Sequence, residues 1–180
     1  MNSFYSQLEL EAMGFKQIGE SISISRNASF YGIENITIGS FVRIDDFCIL
    51  SGKITLGSHI HISAYCALYG SFGIEMDDYS GLSPRCTIFS ASDDFSGNFL
   101  IGPMSAKDST NIICGKILIK KYSQIGSGCV ILPNVTINEG VAVGAMSLIN
   151  KTLDKWSIYA GIPVKKLKER NKGLLEFIRK

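Results

Sequence analysis

Residues 36–62, divided into groups of six, read ITIGSF, VRIDDF, CILSGK, ITLGSH and IHI. The third residue of every group is isoleucine or leucine, and the first is isoleucine, valine or cysteine. A helix repeats every 3.6 residues and a strand every two, so neither alone explains a strict period of six. A short strand followed by a sharp corner does explain it. The stretch therefore predicts a β-helix in which three six-residue faces form one triangular coil and successive coils stack about 4.8 Å apart.

The same period continues through most of the chain, with one step of eight and one long break. A second inward position lies two residues earlier and includes Cys48, Cys66, Cys86 and Cys129, which we interpret as buried small hydrophobic residues. Fifteen sextets predict five coils, and residues 22–32 are a candidate sixth. The fifteen aliphatic positions are Ile38, Ile44, Leu50, Leu56, Ile62, Leu68, Met76, Leu82, Ile88, Ile119, Ile125, Ile131, Ile137, Val143 and Ile149.

Both ends of such a stack need covering, because an open β-edge pairs with other chains. Ser6 and Glu9 form a capping-box pattern that predicts a short N-terminal helix. Spaced apolar residues after Val164 predict a C-terminal helix, although Gly173 weakens its middle. We therefore predict an all-β fold with short helical caps in one domain, 1–180. Its predicted parts are an N-terminal cap (1–20), coils (21–91 and 113–163), an inserted loop (92–112) and a C-terminal helix (164–180).

Composition narrows the possible functions. The formal net charge of +2 is too small to indicate nucleic acid as the main partner. No apolar run reaches the length of a membrane span, and the first residues lack the pattern of a signal peptide. Five cysteines, none in a CxxC motif, indicate free thiols in a reducing compartment. We therefore expect a cytoplasmic protein.

The C-terminal third carries a more specific pattern. Residues 125–153, IGSGCVILPNVTINEGVAVGAMSLINKTL, are followed by WSIYAGIPVKKLKER at 156–170. Together they resemble the usual ending of the hexapeptide acyltransferase superfamily, and within it the bacterial sugar O-acetyltransferases of the maltose or galactoside and surface-polysaccharide types. The resemblance implies a left-handed β-helix and a homotrimer with active sites between subunits. It also implies acetyl-CoA as the acyl donor. Zinc-binding relatives use three histidines, whereas this chain has two, so we expect no metal.

The resemblance also assigns the donor site. Small and polar residues at the coil corners would line the pantetheine arm, and basic residues near the end would meet the phosphates. The first set is Ser127, Gly144, Ala145, Asn150 and Lys151. The second is Lys165, Lys168 and Arg170.

The break between Ala91 and Ile112 matches the loop that in this family covers the acceptor and supplies a histidine base. Here that position is Asp93, so the expected base is absent. In one hypothesis Asp93 or Asp94 accepts the proton, with its pKa raised by burial or by the adjacent carboxylate. In a second, His61 is the base and Asp93 or Asp94, of the same or a neighbouring subunit, orients it. In a third, no strong base is needed because the acceptor is an amine. Tyr65, Tyr69 and Arg85 are predicted to contact the sugar.

Three functions are compatible with these observations. The main prediction is an acetyl-CoA-dependent O-acetyltransferase that acts on a sugar of surface polysaccharide such as O-antigen or capsule. The alternative is an N-acetyltransferase of a nucleotide-linked amino sugar, which fits the missing histidine. A non-catalytic β-helix scaffold is the third.

Overall fold

The computed structural model describes residues 3–178. The α-helix α1 spans Gln7–Ala12, and short 3-10 helices span Ile33–Asn35, Lys107–Ser109 and Gly173–Phe177. The strands are β1 (Gln17–Ile18), β2 (Ser23–Ile24), β3 (Ser29–Tyr31), β4 (Ile36–Ile38), β5 (Arg43–Ile44), β6 (Ile49–Leu56), β7 (His61–Ile62), β8 (Ala67–Met76), β9 (Gly81–Leu82), β10 (Thr87–Phe89), β11 (Ala91–Asp93), β12 (Ile112–Cys114), β13 (Ile117–Ile119), β14 (Gln124–Ile125), β15 (Val130–Ile131), β16 (Thr136–Ile137), β17 (Ala142–Val143), β18 (Leu148–Ile149), β19 (Ser157–Ala160) and β20 (Lys165–Glu169).

All strands except β11, β12 and β20 stack in parallel into three faces of a left-handed β-helix, which confirms the predicted fold class. Face 1 contains β1, β4, the end of β6, the end of β8, β13, β16 and a final bridge at Leu153. Face 2 contains β2, β5, β7, β9, β14, β17 and β19. Face 3 contains β3, the start of β6, the start of β8, β10, β15 and β18.

The helix has about seven turns, more than the five or six predicted. Ile18, Ile24 and Phe30 already form a period-six set, but the 3-10 helix Ile33–Asn35 lengthens the next step to eight. The last turn is closed by Leu153 and Tyr159. Leu153 follows Ile149, the last position of the repeat, after four residues instead of six. Irregular steps therefore hid the first and last coils from a strict period.

The core is the column of inward side chains. All fifteen predicted aliphatic positions are buried, and full burial of such a side chain contributes about 1.5–3 kcal/mol. The four predicted cysteines are also buried, and Cys66 Sγ lies 3.2 Å from the carbonyl oxygen of Ser83. Hydrogen bonding with Cys48 and Cys86, together with burial, raises the pKa of the Cys66 thiol, so it stays protonated. Cys114, outside the repeat, is exposed.

The corner between faces 1 and 2 carries a ladder of aromatic rings. Phe41, His59, Tyr79, Tyr122 and Trp156 all have positive φ angles, which non-glycine residues rarely adopt. Neighbouring ring centroids along this corner lie 4.5–6.3 Å apart, so stacking offsets part of the backbone strain. Gly140 belongs to the same corner, and a Cβ added to it would overlap the Trp156 ring. This glycine is therefore required by a close approach.

The two ends of the stack differ from each other. At the N-terminus, Ser6 and Glu9 form the predicted capping box on α1, but the predicted cap 1–20 is too long because β1 is already part of face 1.

The predicted C-terminal helix is wrong. Lys165–Glu169 is a strand antiparallel to Ser157–Ala160, and only a 3-10 helix follows it. The last strand of face 2 would otherwise expose its backbone groups, and pairing satisfies them. Residues 1–2 of the predicted N-terminal cap and residues 179–180 of the predicted C-terminal helix lie outside the described part of the chain.

Candidate active site

A hairpin opens the insertion where face 3 meets face 1. The insertion was predicted as irregular from residue 92, but Ala91–Asp93 pairs antiparallel with Ile112–Cys114, with Asp93 opposite Ile112. Beside it lies an open cleft of about 470 Å³. Its lining is Phe89, Ala91, Ser92, Asp93, Phe95, Ile112 and Leu132. Asp93 therefore lines a mostly apolar cleft at the place where the sequence predicted the acceptor.

The two adjacent aspartates of the loop have different surroundings. The Asp93 carboxylate accepts a long hydrogen bond from the backbone N–H of Gly102, at 3.3 Å. The Asp94 carboxylate accepts from the side-chain amide of Asn111 at 2.8 Å and from the backbone N–H of Ser96 at 2.7 Å. These hydrogen bonds hold the pKa of Asp94 below its usual value, so the predicted upward shift is wrong for this residue. Asp94 orders the loop, and Asp93 is the better candidate for a base.

His61 lies on face 2 and has a different partner from the one predicted. Its Nε2 is 2.7 Å from Asp45 Oδ2, and Asp45 Oδ1 accepts from Arg43 Nε at 2.6 Å. Burial raises the pKa of Asp45, but the hydrogen bonds from His61 and Arg43 outweigh this, and the net pKa is lowered. The hypothesis that Asp93 or Asp94 orients His61 within one chain is therefore wrong, because Asp45 does so.

Of the three predicted sugar contacts, one is near the cleft. Tyr69 stacks on Phe89, which lines the cleft, at a centroid distance of 5.3 Å. Tyr65 lies instead at the corner between faces 2 and 3, stacked on Phe47 at 5.1 Å. The guanidinium of Arg85 lies 5.8 Å from the Tyr65 ring centroid. Tyr65 and Arg85 thus belong to a second corner stack.

The predicted donor residues divide between two corners. Ser127, Gly144 and Ala145 lie together between faces 2 and 3, where the Ser127 carbonyl accepts from the backbone N–H of Met146 at 2.8 Å. Gly126 at this corner has no room for a side chain, since an added Cβ would lie 2.6 Å from the Ala145 nitrogen. Asn150 and Lys151 follow Leu148–Ile149 at the opposite end of face 3. The register aligns Asn150 with Leu132 and Phe89, so it lies on the side of the cleft.

The three basic residues near the end also differ. Lys165 and Lys168 are exposed on β20. Arg170 is half-buried, and its Nη1 donates to the carbonyl oxygens of Tyr122, Gly140 and Val141 at 2.8, 3.1 and 3.3 Å. Burial of its guanidinium lowers the pKa of Arg170. This side chain anchors the C-terminal segment, a role the sequence analysis missed.

An apolar column on the outside of face 3, interrupted only by the hydroxyl of Thr87, was also missed. Ile49, Ala67, Thr87, Val130 and Leu148 align in register and are only half-buried. The signal was present as the residue before each inward aliphatic of face 3, but these residues are 18, 20, 43 and 18 positions apart, so a period of six does not reveal them as one column. Within residues 3–178, no group of three or more histidine, cysteine, aspartate or glutamate side chains is arranged to hold a metal ion. In the same residues, no helix has the length and apolar character needed to cross a membrane.

Comparisons with known proteins agree with this architecture. The family described as bacterial transferase hexapeptide (six repeats) matches residues 116–151. The dTDP-4-amino-4,6-dideoxy-D-glucose acyltransferase of Escherichia coli is 40% identical over 177 residues, which cover 97% of this chain and 92% of that protein.

Solved structures of AntD, an N-acyltransferase from Bacillus cereus, are also similar. The complex with dTDP and 3-hydroxybutyryl-CoA has 52% identity and a TM-score of 0.97, covering 99% of this chain and 96% of AntD. A serine-to-alanine variant with dTDP-4-amino-4,6-dideoxyglucose and coenzyme A has 51% identity and a TM-score of 0.98, covering 99% and 97%. Other AntD structures carry a substitution at one aspartate.

Proposed function

This chain belongs to the hexapeptide-repeat acyltransferases, and we propose that within them it transfers an acyl group from coenzyme A to the amine of a dTDP-linked 4-amino-4,6-dideoxyhexose. The observation that carries the proposal is the match to AntD, about half identical over nearly the whole chain and solved with that class of amino sugar. The match favours the N-acylation alternative over O-acetylation of a sugar in surface polysaccharide. The place of the product in surface polysaccharide and the cytoplasmic location stay predictions.

The local chemistry agrees with an amine acceptor. A free amine attacks a thioester without a strong base, whereas a hydroxyl needs one to remove its proton in the transition state. The loop offers Asp93 where relatives that acylate hydroxyls carry histidine, and a carboxylate is a weak base near neutral pH. A carboxylate is, however, well suited to orient an ammonium group and to accept its proton.

Asp93 is the residue to which we assign this role. The amine nitrogen attacks the thioester carbonyl, the carbon–nitrogen bond forms, and the carbon–sulfur bond breaks. The proton lost by nitrogen passes to the Asp93 carboxylate and then to the thiolate of coenzyme A or to solvent, so the charges balance. Asp94 keeps the loop in shape through Ser96 and Asn111. Tyr69, behind Phe89, supports the wall of the acceptor cleft.

For the donor, the stacked corner of Ser127, Gly144 and Ala145 is the proposed path of the pantetheine arm. Its small residues leave backbone groups accessible to the amides of that arm. Lys165 and Lys168 are exposed and available for its phosphates. Asn150 and Lys151 lie at the other end of face 3. Within one chain they are therefore near the acceptor cleft and not at the corner proposed for the pantetheine arm.

A homotrimer would bring these parts together. The apolar column on face 3 is suited to cover by a second copy of the chain. The inserted loop also presents Phe95 and Met104 to solvent, with relative exposures of 78% and 96%. If the loop of one subunit packs against face 3 of another, the donor corner of one chain can face Asp93 of the next. Sedimentation analysis tests this: a monomer at assay concentration contradicts it.

The test of function is a transfer assay with acetyl-CoA and 3-hydroxybutyryl-CoA as donors and dTDP-4-amino-4,6-dideoxyglucose as acceptor. We expect a product whose mass rises by one acyl group and whose acyl bond survives mild alkali, as an amide does. The matched control acceptor is dTDP-6-deoxyglucose, which carries a hydroxyl in place of the amine. An alkali-labile product from the hydroxyl sugar, with none from the amine, would refute N-acylation.

A further inference from the structure

A second cleft, outside the site described above, lies along face 1 near its corner with face 3. It has a volume of about 340 Å³. Its lining combines ammonium groups, an amide, hydroxyls and one aromatic ring, contributed by several stacked coils. The residues that matter here are Lys16, Asn35, Lys53, Phe72, Glu75 and Lys116.

The concave shape follows from the coil register. Asn35, Lys53, Gly73 and Lys116 each precede a face 1 strand and therefore form one column. Gly73, at φ +102°, leaves the middle of this column without a side chain, and a Cβ there would lie 3.4 Å from the Lys116 side chain. Lys53 and Lys116 are two coils apart, about 10 Å along the stack. Their ammonium groups can thus converge from opposite sides on a ligand the size of a diphosphate.

The charges of the lining favour an anion. Three lysines face one glutamate, and Lys116 Nζ is paired with Glu75 Oε1 at 2.5 Å. Within residues 3–178, Lys16 and Lys53 form no salt bridge. Two uncompensated ammonium groups beside hydroxyls of Thr37 and Thr55 form a surface on which phosphate oxygens bind well.

An aromatic ring extends the match from phosphate to nucleotide. Phe72 lines the cleft, and 49% of its surface is exposed, so one face of the ring is open to a ligand. Such a ring beside a cationic groove can stack on a base while the lysines hold the phosphates. The cleft also adjoins the inserted hairpin, because Lys116 follows two residues after Cys114, where that hairpin ends.

We infer that this cleft binds the diphosphate of a nucleotide, and that its occupant is the dTDP moiety of the acceptor. The inference rests on the proposed function for the identity of the nucleotide. Coenzyme A also carries a diphosphate, but its proposed contacts lie at the corner between faces 2 and 3 and on β20, in the later coils. The acceptor sugar would then lie at Asp93 on one side of the hairpin Ala91–Asp93/Ile112–Cys114, and its nucleotide would lie in the face 1 cleft on the other side.

The experiment is equilibrium binding of dTDP, and separately of coenzyme A, to the full chain by isothermal titration calorimetry. For Lys53→Gln we expect the Kd for dTDP to rise about ten-fold or more, the range for losing a contact to a charged group. Lys155→Gln, an exposed lysine in the last coil, is the matched control and should leave that Kd unchanged. Glu75→Gln removes the negative charge paired with Lys116 and should lower the Kd for dTDP. A gain in affinity cannot come from a misfolded variant.

The outcomes separate cleanly. If neither Lys53→Gln nor Glu75→Gln changes the Kd for dTDP, the inference is overturned. If the Kd for coenzyme A changes and that for dTDP does not, the assignment to the acceptor is overturned. Wild-type turnover of the amino sugar is measured independently. If the wild type turns over the amino sugar but the Kd for dTDP is unchanged in both variants, only this inference is contradicted. If the variants change the Kd for dTDP but no turnover is found, only the proposed function is contradicted.

Discussion

The guanidinium of Arg170 holds the C-terminal segment against the preceding coils, and replacing it should destabilise the fold. By resemblance it is a ligand of coenzyme A phosphates, whereas the structure directs its Nη1 to three backbone carbonyls of neighbouring coils. The substitution Arg170→Met keeps most of the aliphatic stem and removes the guanidinium. We expect a loss of stability with little effect on the KM for the acyl donor.

The size of the loss follows from the contacts. One guanidinium nitrogen carries two hydrogens, so the contacts at 2.8, 3.1 and 3.3 Å amount to about two hydrogen bonds. Hydrogen bonds from a charged donor contribute about 1.5–3 kcal/mol each. Burial lowers the pKa of Arg170, so desolvation offsets part of this gain. A net loss of about 2 kcal/mol should lower Tm by about 4–8 °C in a chain of this size.

The assay pairs thermal unfolding with steady-state kinetics in acyl-CoA. Lys168→Met, on the same strand but exposed, is the control: it should leave Tm nearly unchanged and raise the KM for the donor. The reasoning is refuted if Arg170→Met leaves Tm where it was and raises that KM at least as much as Lys168→Met does. The guanidinium would then be a phosphate ligand.

Four further predictions concern the loop, the face 2 histidine and the two ends. Asp93→Asn should lower kcat on the order of 100-fold, because Asp93 takes the proton of the amine. Asp94→Asn should lower kcat by much less, because Asp94 only orders the loop. Equal losses of kcat in steady-state assays would contradict this. His61→Ala should keep kcat within about two-fold, as for a surface substitution, and a large loss would restore the histidine hypothesis. Hydrogen bonds from Ser6 and Arg26 lower the pKa of Glu9 from 4.5 to about 2, so its stabilisation is complete above pH 4.5 and is lost as the pH falls towards 2. Melting curves from pH 6 to pH 2 should therefore converge for wild type and Glu9→Gln at the acid end. Gly140→Ala should lower Tm, because its φ of +68° disfavours a side chain and the new Cβ would overlap Trp156; an unchanged Tm would mean that the ring moves aside.

Local patterns were the most predictable part of the molecule. The inward aliphatics such as Ile44 and Ile125, the buried Cys66 and the corner position of His59 follow from the sextet itself, because each sextet makes its own strand and corner. The capping box of Ser6 and Glu9 is likewise contained within four residues. The position of the insertion was also predictable, since a break in a regular repeat is visible without knowing its shape.

Contacts between coils were much less predictable. Asp78 receives a hydrogen bond from Lys121, 43 positions later, because the insertion separates two coils that are adjacent in space. Asp45, and not Asp93, is the partner of His61 for the same reason: neighbours are set by which coils stack. The C-terminal residues read as a helix by their apolar spacing, but the free edge of β19 made a strand the better solution.

The amino-acid sequence by itself determined which side chains point inward, where the chain turns and where the repeat is interrupted, because these depend on interactions within one sextet. Only the tertiary structure decided which residues share a column. It brought Lys53, Gly73 and Lys116 into one groove, gave Arg170 its carbonyl partners, and distinguished Asp93 from Asp94 through Ser96 and Asn111. The physical reason is that hydrogen bonds and charges act across the spacing between coils, and irregular steps along the chain change which residues meet across that spacing.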